Sequence, residues 1–298
     1  MSHDLIEGKS RDLGGFSVSR ILPSHPHRAV GPFVFFDYLG PAVLAADGGV
    51  EVRPHPHIGL ATVTFLFEGE MIHRDSLGSV QAIRPGDVNW MTSGRGIVHS
   101  ERSPEELRGL PKPIHAIQSW VAVPIDHEAG DPSFAHHPAA TLPSFDLPGV
   151  RITVIAGTAF GHESPVAVLV PTMYAAAHMG AGSSFTLDAE HEERSIFVVS
   201  GTVALDGADV PTSTMAVLTS RSDAVITAAS DAIVMLVGGA RLDAPRALEW
   251  NFVASTRAAI DAARDDWASY PNERFPQVPG ETEFIPLPPR ARPEPTAL

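Results

Sequence analysis

Two runs decide how this chain reads: Arg53-Pro54-His55-Pro56-His57 and Gly94-Arg95-Gly96-Ile97-Val98-His99-Ser100-Glu101. A β-strand sends residues i and i+2 to the same face, so His55 and His57 point together, as do His99 and Glu101. Two adjacent strands would then present four ligands around one ion. Nitrogen and carboxylate donors without a thiolate suit Fe(II), Mn(II), Ni(II), Cu(II) or a catalytic Zn(II) better than a closed structural zinc site. Three imidazoles and one carboxylate leave one or two octahedral positions open, which favours chemistry at the metal. Taken singly, a His-x-His run is more often a solvated loop, and a His-x-Glu pair is commoner still by chance. The combination carries the reading. His25-Pro26-His27 sits among prolines without a partner run and reads as exposed loop.

Composition narrows the function classes. The chain has 298 residues, enough for one large core or two ordinary domains, and 44% of them are apolar. A net charge of -14, from 21 basic and 35 acidic side chains, repels a phosphate backbone and argues against direct nucleic-acid binding. There is no cysteine, so disulfides and thiolate ligands are excluded and nothing ties the protein to an oxidising compartment. Met1 to Glu7 lacks the features of a signal peptide, and no apolar stretch is long enough to span a bilayer. The expectation is a cytoplasmic protein with no membrane partner.

Glycine and proline are spread widely between short runs rich in Val, Ile, Thr and Phe, the pattern of many strands joined by turns. Strands are expected at 61–67, 114–123, 150–156, 195–199 and 232–237. Ser103-Pro104-Glu105-Glu106 opens like a helix but meets Gly109 too soon. The better helix is Thr256 to Tyr270, where Ala259, Ile260, Ala263 and Trp267 recur on one side, and it is expected to pack outside a sheet. A faint repeat sets Thr64 to Glu70 against Ser195 to Thr202, with Gly69 matching Gly201. His55 and His57 then fall on Leu187 and Ala189, so the second copy lacks ligands. Glu190, His191 and Glu192 are read there as solvated turn residues. The expected domains are 1–137 with the metal and 150–287 without it, joined by a linker at 138–149 and followed by a disordered tail at 288–298.

A wider set of motifs resembles a known family. A His-x-His pair and a later histidine after a glycine-bearing hairpin, with Gly86 and Gly94, resemble the cupin superfamily. Here that histidine comes two residues later than usual, at His99, and the usual cupin glutamate is missing, since Ala61 and Thr62 occupy its positions. Both departures resemble the pirin family. So do Gly31 to Asp37, Pro54 to Gly59, His73 to Gly78, Pro85 to Thr92, Gly94 to Glu101 and Phe275 to Pro286. The second domain is the weaker match.

The resemblance implies an all-β bicupin: two packed β-barrel (jelly-roll) domains with terminal strands exchanged between them and a short C-terminal helix. It implies one Fe(II) held by His55, His57, His99 and Glu101, with Mn, Ni, Cu, Co or Zn as alternatives. Some pirins resemble quercetin 2,3-dioxygenases, whose partners would be a small aromatic substrate and O2. Others are iron-dependent partners of transcription factors or metabolic enzymes. The preferred expectation is a flavonol-type dioxygenase, an oxidoreductase with Glu101 as the catalytic base, acting as a monomer. The rivals are a redox sensor acting on a protein partner, which needs only the ion and an exposed patch, and a sugar or small-acid isomerase of cupin type. Phe33, Phe35 and Trp90 are candidates to wall the pocket, and His73 with Arg74 and Asp75 to orient a ligand. His115 and Gln118, three apart on one strand, cannot both face inward without distortion.

Overall fold

The strand Leu60–Glu68 shows how the sequence builds the architecture. Leu60, Thr62, Thr64 and Leu66 turn to one face and Ala61, Val63 and Phe65 to the other, and all are buried. An apolar run of this kind belongs to a strand covered on both sides. The inward face lines the interior of the first domain, while Ala61, Val63 and Phe65 join a core shared with the second domain. Strands Glu193–Ser200 and Ala232–Gly239 repeat the arrangement: Ile196, Val198, Val234 and Leu236 fill the second domain, and Phe197, Val199, Met235 and Val237 meet the first.

The computed structural model describes residues 3–12 and 16–290. Each domain is a two-layer jelly roll. The first pairs a seven-stranded sheet containing Phe33–Leu44, Leu60–Glu68 and Lys112–Ala122 with a four-stranded sheet containing Glu51–His57, Met71–Asp75 and Ile97–Arg102. The second pairs an eight-stranded sheet with a four-stranded one. The sheets face each other without closing into continuous barrels. The large sheets pack back to back, with Phe36 5.1 Å from Phe197 and Phe33 5.3 Å from Tyr174 between ring centroids. Each such aromatic stabilises the assembly by roughly 1.5–3 kcal/mol through burial alone.

The termini cross between domains. His3–Glu7 pairs antiparallel with Thr214–Leu218 in the second domain, whereas Lys9–Asp12 pairs with Ser17–Leu22 in the first. At the other end the chain returns: Phe252 bridges Ile58, and Phe275 and Val278 pack with Ile58 and Val98. Residues 247–287, expected with the second domain, thus lie against the first, because the apolar faces of this segment find their complement there. The helix Arg257–Ala268 is capped by the Thr256 side chain and buries Ile260, Ala263 and Trp267 in that same cluster. The 103–106 signal yields only a 3-10 turn, Glu105–Leu107.

One further expectation is corrected, and another falls mostly outside the described residues. Within the segment read as a linker, Ser144–Leu147 is an edge strand on Val150–Ala159, since Phe145 and Leu147 alternate onto the second domain's core. Of the tail from Pro288, residues 291–298 lie outside the described residues; Pro288 and Arg290 are tied to the helix through Arg264 and Asp261.

Candidate metal centre

Strands Glu51–His57 and Ile97–Arg102 are antiparallel neighbours with His99 opposite His55. The next pairing sets Glu101 against Val52, so the first strand carries one extra residue at Arg53-Pro54. Proline has no N–H to give the ladder, which makes this a natural bulge. The Pro54 carbonyl accepts instead from the Ile285 N–H at 2.8 Å.

His55, His57 and His99 are buried, with relative exposures of 6%, 1% and 1%, and their ligand atoms lie within 4.8 Å of one another. They form the one such group of histidine, aspartate and glutamate among the described residues. The Nδ1–H of His55 donates to the Arg53 carbonyl at 2.9 Å, and that of His57 to the Asn251 carbonyl at 3.0 Å. Both rings then keep an Nε2 lone pair for the centre. His57 Nε2 is 3.1 Å from His99 Nε2. Adjacent ligands of one octahedral ion at about 2.1 Å stand about 3 Å apart, so the spacing fits a shared cation. Burial lowers the His55 pKa to about 4 and those of His57 and His99 well below the usual value. The rings are neutral at pH 7, as ligands must be.

Glu101 stands outside the three-histidine group but lines the same cavity as His55 and His57. The Thr64 hydroxyl lies 3.3 Å from Glu101 Oε1 and 2.8 Å from Gln118 Oε1. Burial raises the Glu101 pKa, against the lowering effects of His73 and Thr64. The cavity measures about 460 Å³, in the range of small-molecule sites. Phe35 and Trp120 in its wall stack at 3.9 Å, with the Arg20 guanidinium over the Phe35 ring and His57 edge-on to Trp120.

The Pirin family model matches residues 15–121, and the model described as Pirin C-terminal cupin domain matches residues 174–273. The chain belongs to the pirin family. It is 44% identical over 289 residues to a pirin-like protein of Caulobacter vibrioides, covering 96% of this chain and 99% of that one. The crystal structure of a quercetin 2,3-dioxygenase from Acinetobacter baumannii superposes with a TM-score of 0.90 at 33% identity, over 98% of this chain and 96% of that one. The Escherichia coli pirin YhhW, solved in complex with nickel(II), shares the fold at 19% identity and a TM-score of 0.64, over 80% of this chain and 100% of that one.

In this pirin only Phe35 of the three aromatics expected around the pocket lines it. Phe33 and Trp90 face the interdomain core. Phe33 and Phe35 share sequence parity, yet Val121 pairs with Phe33 and Trp120 with Phe35, so an extra residue at Val34 turns the two rings to opposite faces. Gln118 faces the cavity, whereas His115 turns to the Tyr38 hydroxyl at 2.9 Å. His73 both pairs with Asp75 at 3.0 Å and approaches His99, Nδ1 to Nδ1, at 3.4 Å. His27 meets Asp4 at 2.9 Å at the surface. His191, expected to be solvated, is buried and donates to the Thr158 carbonyl at 2.9 Å, while Glu190 and Glu192 are exposed. Leu187, the counterpart of His55, fills an apolar core in the second domain.

The sequence reading missed Trp120, Trp250, Asn251 and Ile285 in the cavity wall. Trp120 was readable, being two residues beyond Gln118 on one strand. The other three arrive from the returning C-terminal segment and carry no local pattern.

Proposed function

We propose that this pirin is a metal-dependent dioxygenase of the quercetin 2,3-dioxygenase type, opening the ring of a flavonol or a similar enolisable aromatic with O2. One observation carries the reading: three neutral imidazoles converge beside a cavity of about 460 Å³ that has an aromatic wall. A sensor needs only the ion and an exposed patch, and would not require that volume. The likeness to the Acinetobacter baumannii quercetin 2,3-dioxygenase supports the same choice.

His55, His57 and His99 would hold the ion, with Glu101 as the fourth ligand and Fe(II) first among the candidates. Three neutral rings and one carboxylate would leave a divalent site with about one net positive charge; moving the substrate hydroxyl proton to Glu101 keeps that total and places the negative charge of the enolate beside the ion. Bound there, the metal would lower the pKa of the substrate hydroxyl and would supply the electronic coupling to O2. Glu101, whose proton affinity burial raises, takes the hydroxyl proton as substrate enters. The Thr64 hydroxyl, which also reaches Gln118 Oε1, is the hydrogen-bond donor beside that carboxylate. The stacked Phe35 and Trp120 rings make part of the cavity wall apolar and keep water from the pair of opposite charges, strengthening it.

The test is quercetin consumption with CO release by protein loaded anaerobically with Fe(II) and then exposed to O2. Turnover lost in Glu101→Ala supports the reading. A full complement of iron without turnover would reject the dioxygenase in favour of the sensor.

A further inference from the structure

His99 differs from the other two histidines in how its far nitrogen is held. His55 and His57 donate Nδ1–H to backbone carbonyls, which are acceptors by nature. The Nδ1 of His99 faces another ring nitrogen, Nδ1 of His73, at 3.4 Å. An imidazole nitrogen is donor or acceptor according to tautomer, so this contact fixes nothing by itself. Asp75 removes the ambiguity. Its Oδ2 accepts from His73 Nε2 at 3.0 Å, and its Oδ1 accepts from the Leu77 and Ser79 N–H groups at 2.9 and 3.0 Å. Asp75 is fully buried and His73 nearly so, and the Phe134 ring stacks on His73 at 4.3 Å and 11°.

We infer that Asp75 and His73 form a positioning dyad that sets the His99 tautomer and thereby the metal affinity of the site; this rests on the metal-centre reading above. With the proton of His73 on Nε2, its Nδ1 is an acceptor. His99 must then carry its own proton on Nδ1, and its Nε2 lone pair points at the centre. The hydrogen bonds converge on Asp75: its carboxylate accepts from the amides of the 77–79 turn on one side and from His73 on the other, and His73 in turn accepts from His99. Neither dyad residue touches the ion or substrate, so both act through His99.

The sharpest test inverts the dyad without unfolding it. In Asp75→Asn, Oδ1 still accepts from the Leu77 and Ser79 amides, but the Nδ2 that replaces Oδ2 donates to His73 Nε2. The His73 proton moves to Nδ1, which pushes the His99 proton onto Nε2, where it competes with the metal. Ni(II) and Fe(II) affinities measured by chelator competition should fall about 10- to 100-fold, with an unchanged far-ultraviolet circular dichroism spectrum. His73→Gln, whose side-chain carbonyl can accept from His99, should keep more affinity than His73→Phe, which retains only the packing on Phe134. Imidazole ¹⁵N shifts of the metal-free protein should report His99 protonated on Nδ1 in the wild type and on Nε2 in Asp75→Asn. Wild-type affinity in Asp75→Asn, or His99 protonated on Nε2 in the wild type, would overturn the dyad while leaving the metal centre standing. Failure of the wild type itself to bind any divalent ion would overturn both.

Discussion

The Nε2 atoms of His57 and His99 lie 3.1 Å apart, both rings are buried, and each already has a partner for Nδ1. Two lone pairs facing at that distance repel unless a cation sits between them, and a buried polar atom without a partner costs about 1–3 kcal/mol. A divalent ion bound between them would relieve that repulsion. Divalent metal at 100 times its Kd should stabilise the fold by about 2.7 kcal/mol. Thermal unfolding with and without Ni(II) measures this, and His57→Ala should lose the response together with bound metal. An equal shift in wild type and variant would place the ion elsewhere.

Glu101 is the residue whose role separates binding from chemistry. It lines the cavity but stands outside the tight histidine group. Glu101→Gln should keep most of the metal, since three imidazoles remain, and lower single-turnover quercetin consumption by about 10²- to 10⁴-fold, the usual range for loss of a general base. Loss of all bound metal in Glu101→Gln would instead make the carboxylate an essential ligand.

Much of the centre was legible because strand alternation is local: His55 with His57, and His99 facing His55, need only a period of two and one antiparallel pairing. What alternation misses is where it breaks. Val34 flips Phe33 away from Phe35, and Arg53-Pro54 shifts Glu101 onto Val52. Each bulge is one residue long; the one at Val34 leaves no mark in its apolar run, and Pro54 is the trace of the other. The repeat set Leu187 against His55, and Leu187 fills an apolar core, but His191 is buried because it reaches the Thr158 carbonyl, a contact 33 residues away in sequence. Asn251, which holds His57, comes from 194 residues further along the chain. No short-range pattern marks such a residue.

Acidification should act on the metal-free protein through the same three histidines. Burial lowers the His55 pKa to about 4 from 6.5, so between those values the unfolded chain binds more protons than the folded one. Stability present above pH 6.5 is then lost as pH falls toward 4, on the order of 3 kcal/mol for His55 alone. Urea midpoints across that window measure the slope, and His55→Leu should flatten it. A slope unchanged in His55→Leu would contradict the assignment.

Glu281 fastens the returning segment to the strand that bears His99 and Glu101. Its carboxylate accepts from Ser100 Oγ at 2.7 Å and from Arg102 Nε and Nη2 at 2.9 and 2.7 Å. Burial acts to raise its pKa, but the bonds from Arg102 and Ser100 hold it below the ordinary range. Because Arg102 remains partly exposed, Glu281→Ala should cost about 2–3 kcal/mol, less than the loss of a fully buried pair. The C-terminal segment should become the first site of proteolytic cleavage. Unchanged stability and an unchanged digestion pattern would show that the apolar contacts of Phe275 and Val278 suffice.

Gly59 tests whether that segment's docking reaches the metal. It has φ +65°, and a Cβ there would stand 2.0 Å from the Val253 carbonyl oxygen. Gly59→Ala therefore combines left-handed strain with a backbone collision, and the Phe252–Ala254 strand must move. Asn251, the acceptor for His57 Nδ1, moves with it. Gly207, with φ +78° and nothing within 4 Å of the added Cβ, is the control. Gly207→Ala should cost about 1–2 kcal/mol from backbone strain and leave Ni(II) affinity as in the wild type. Gly59→Ala should cost more and weaken Ni(II) binding by about 10-fold or more, the lower end for loss of a ligand's outer hydrogen bond. If Gly59→Ala destabilised the protein yet bound Ni(II) as the control does, the Asn251 carbonyl would have no part in holding His57 for the ion.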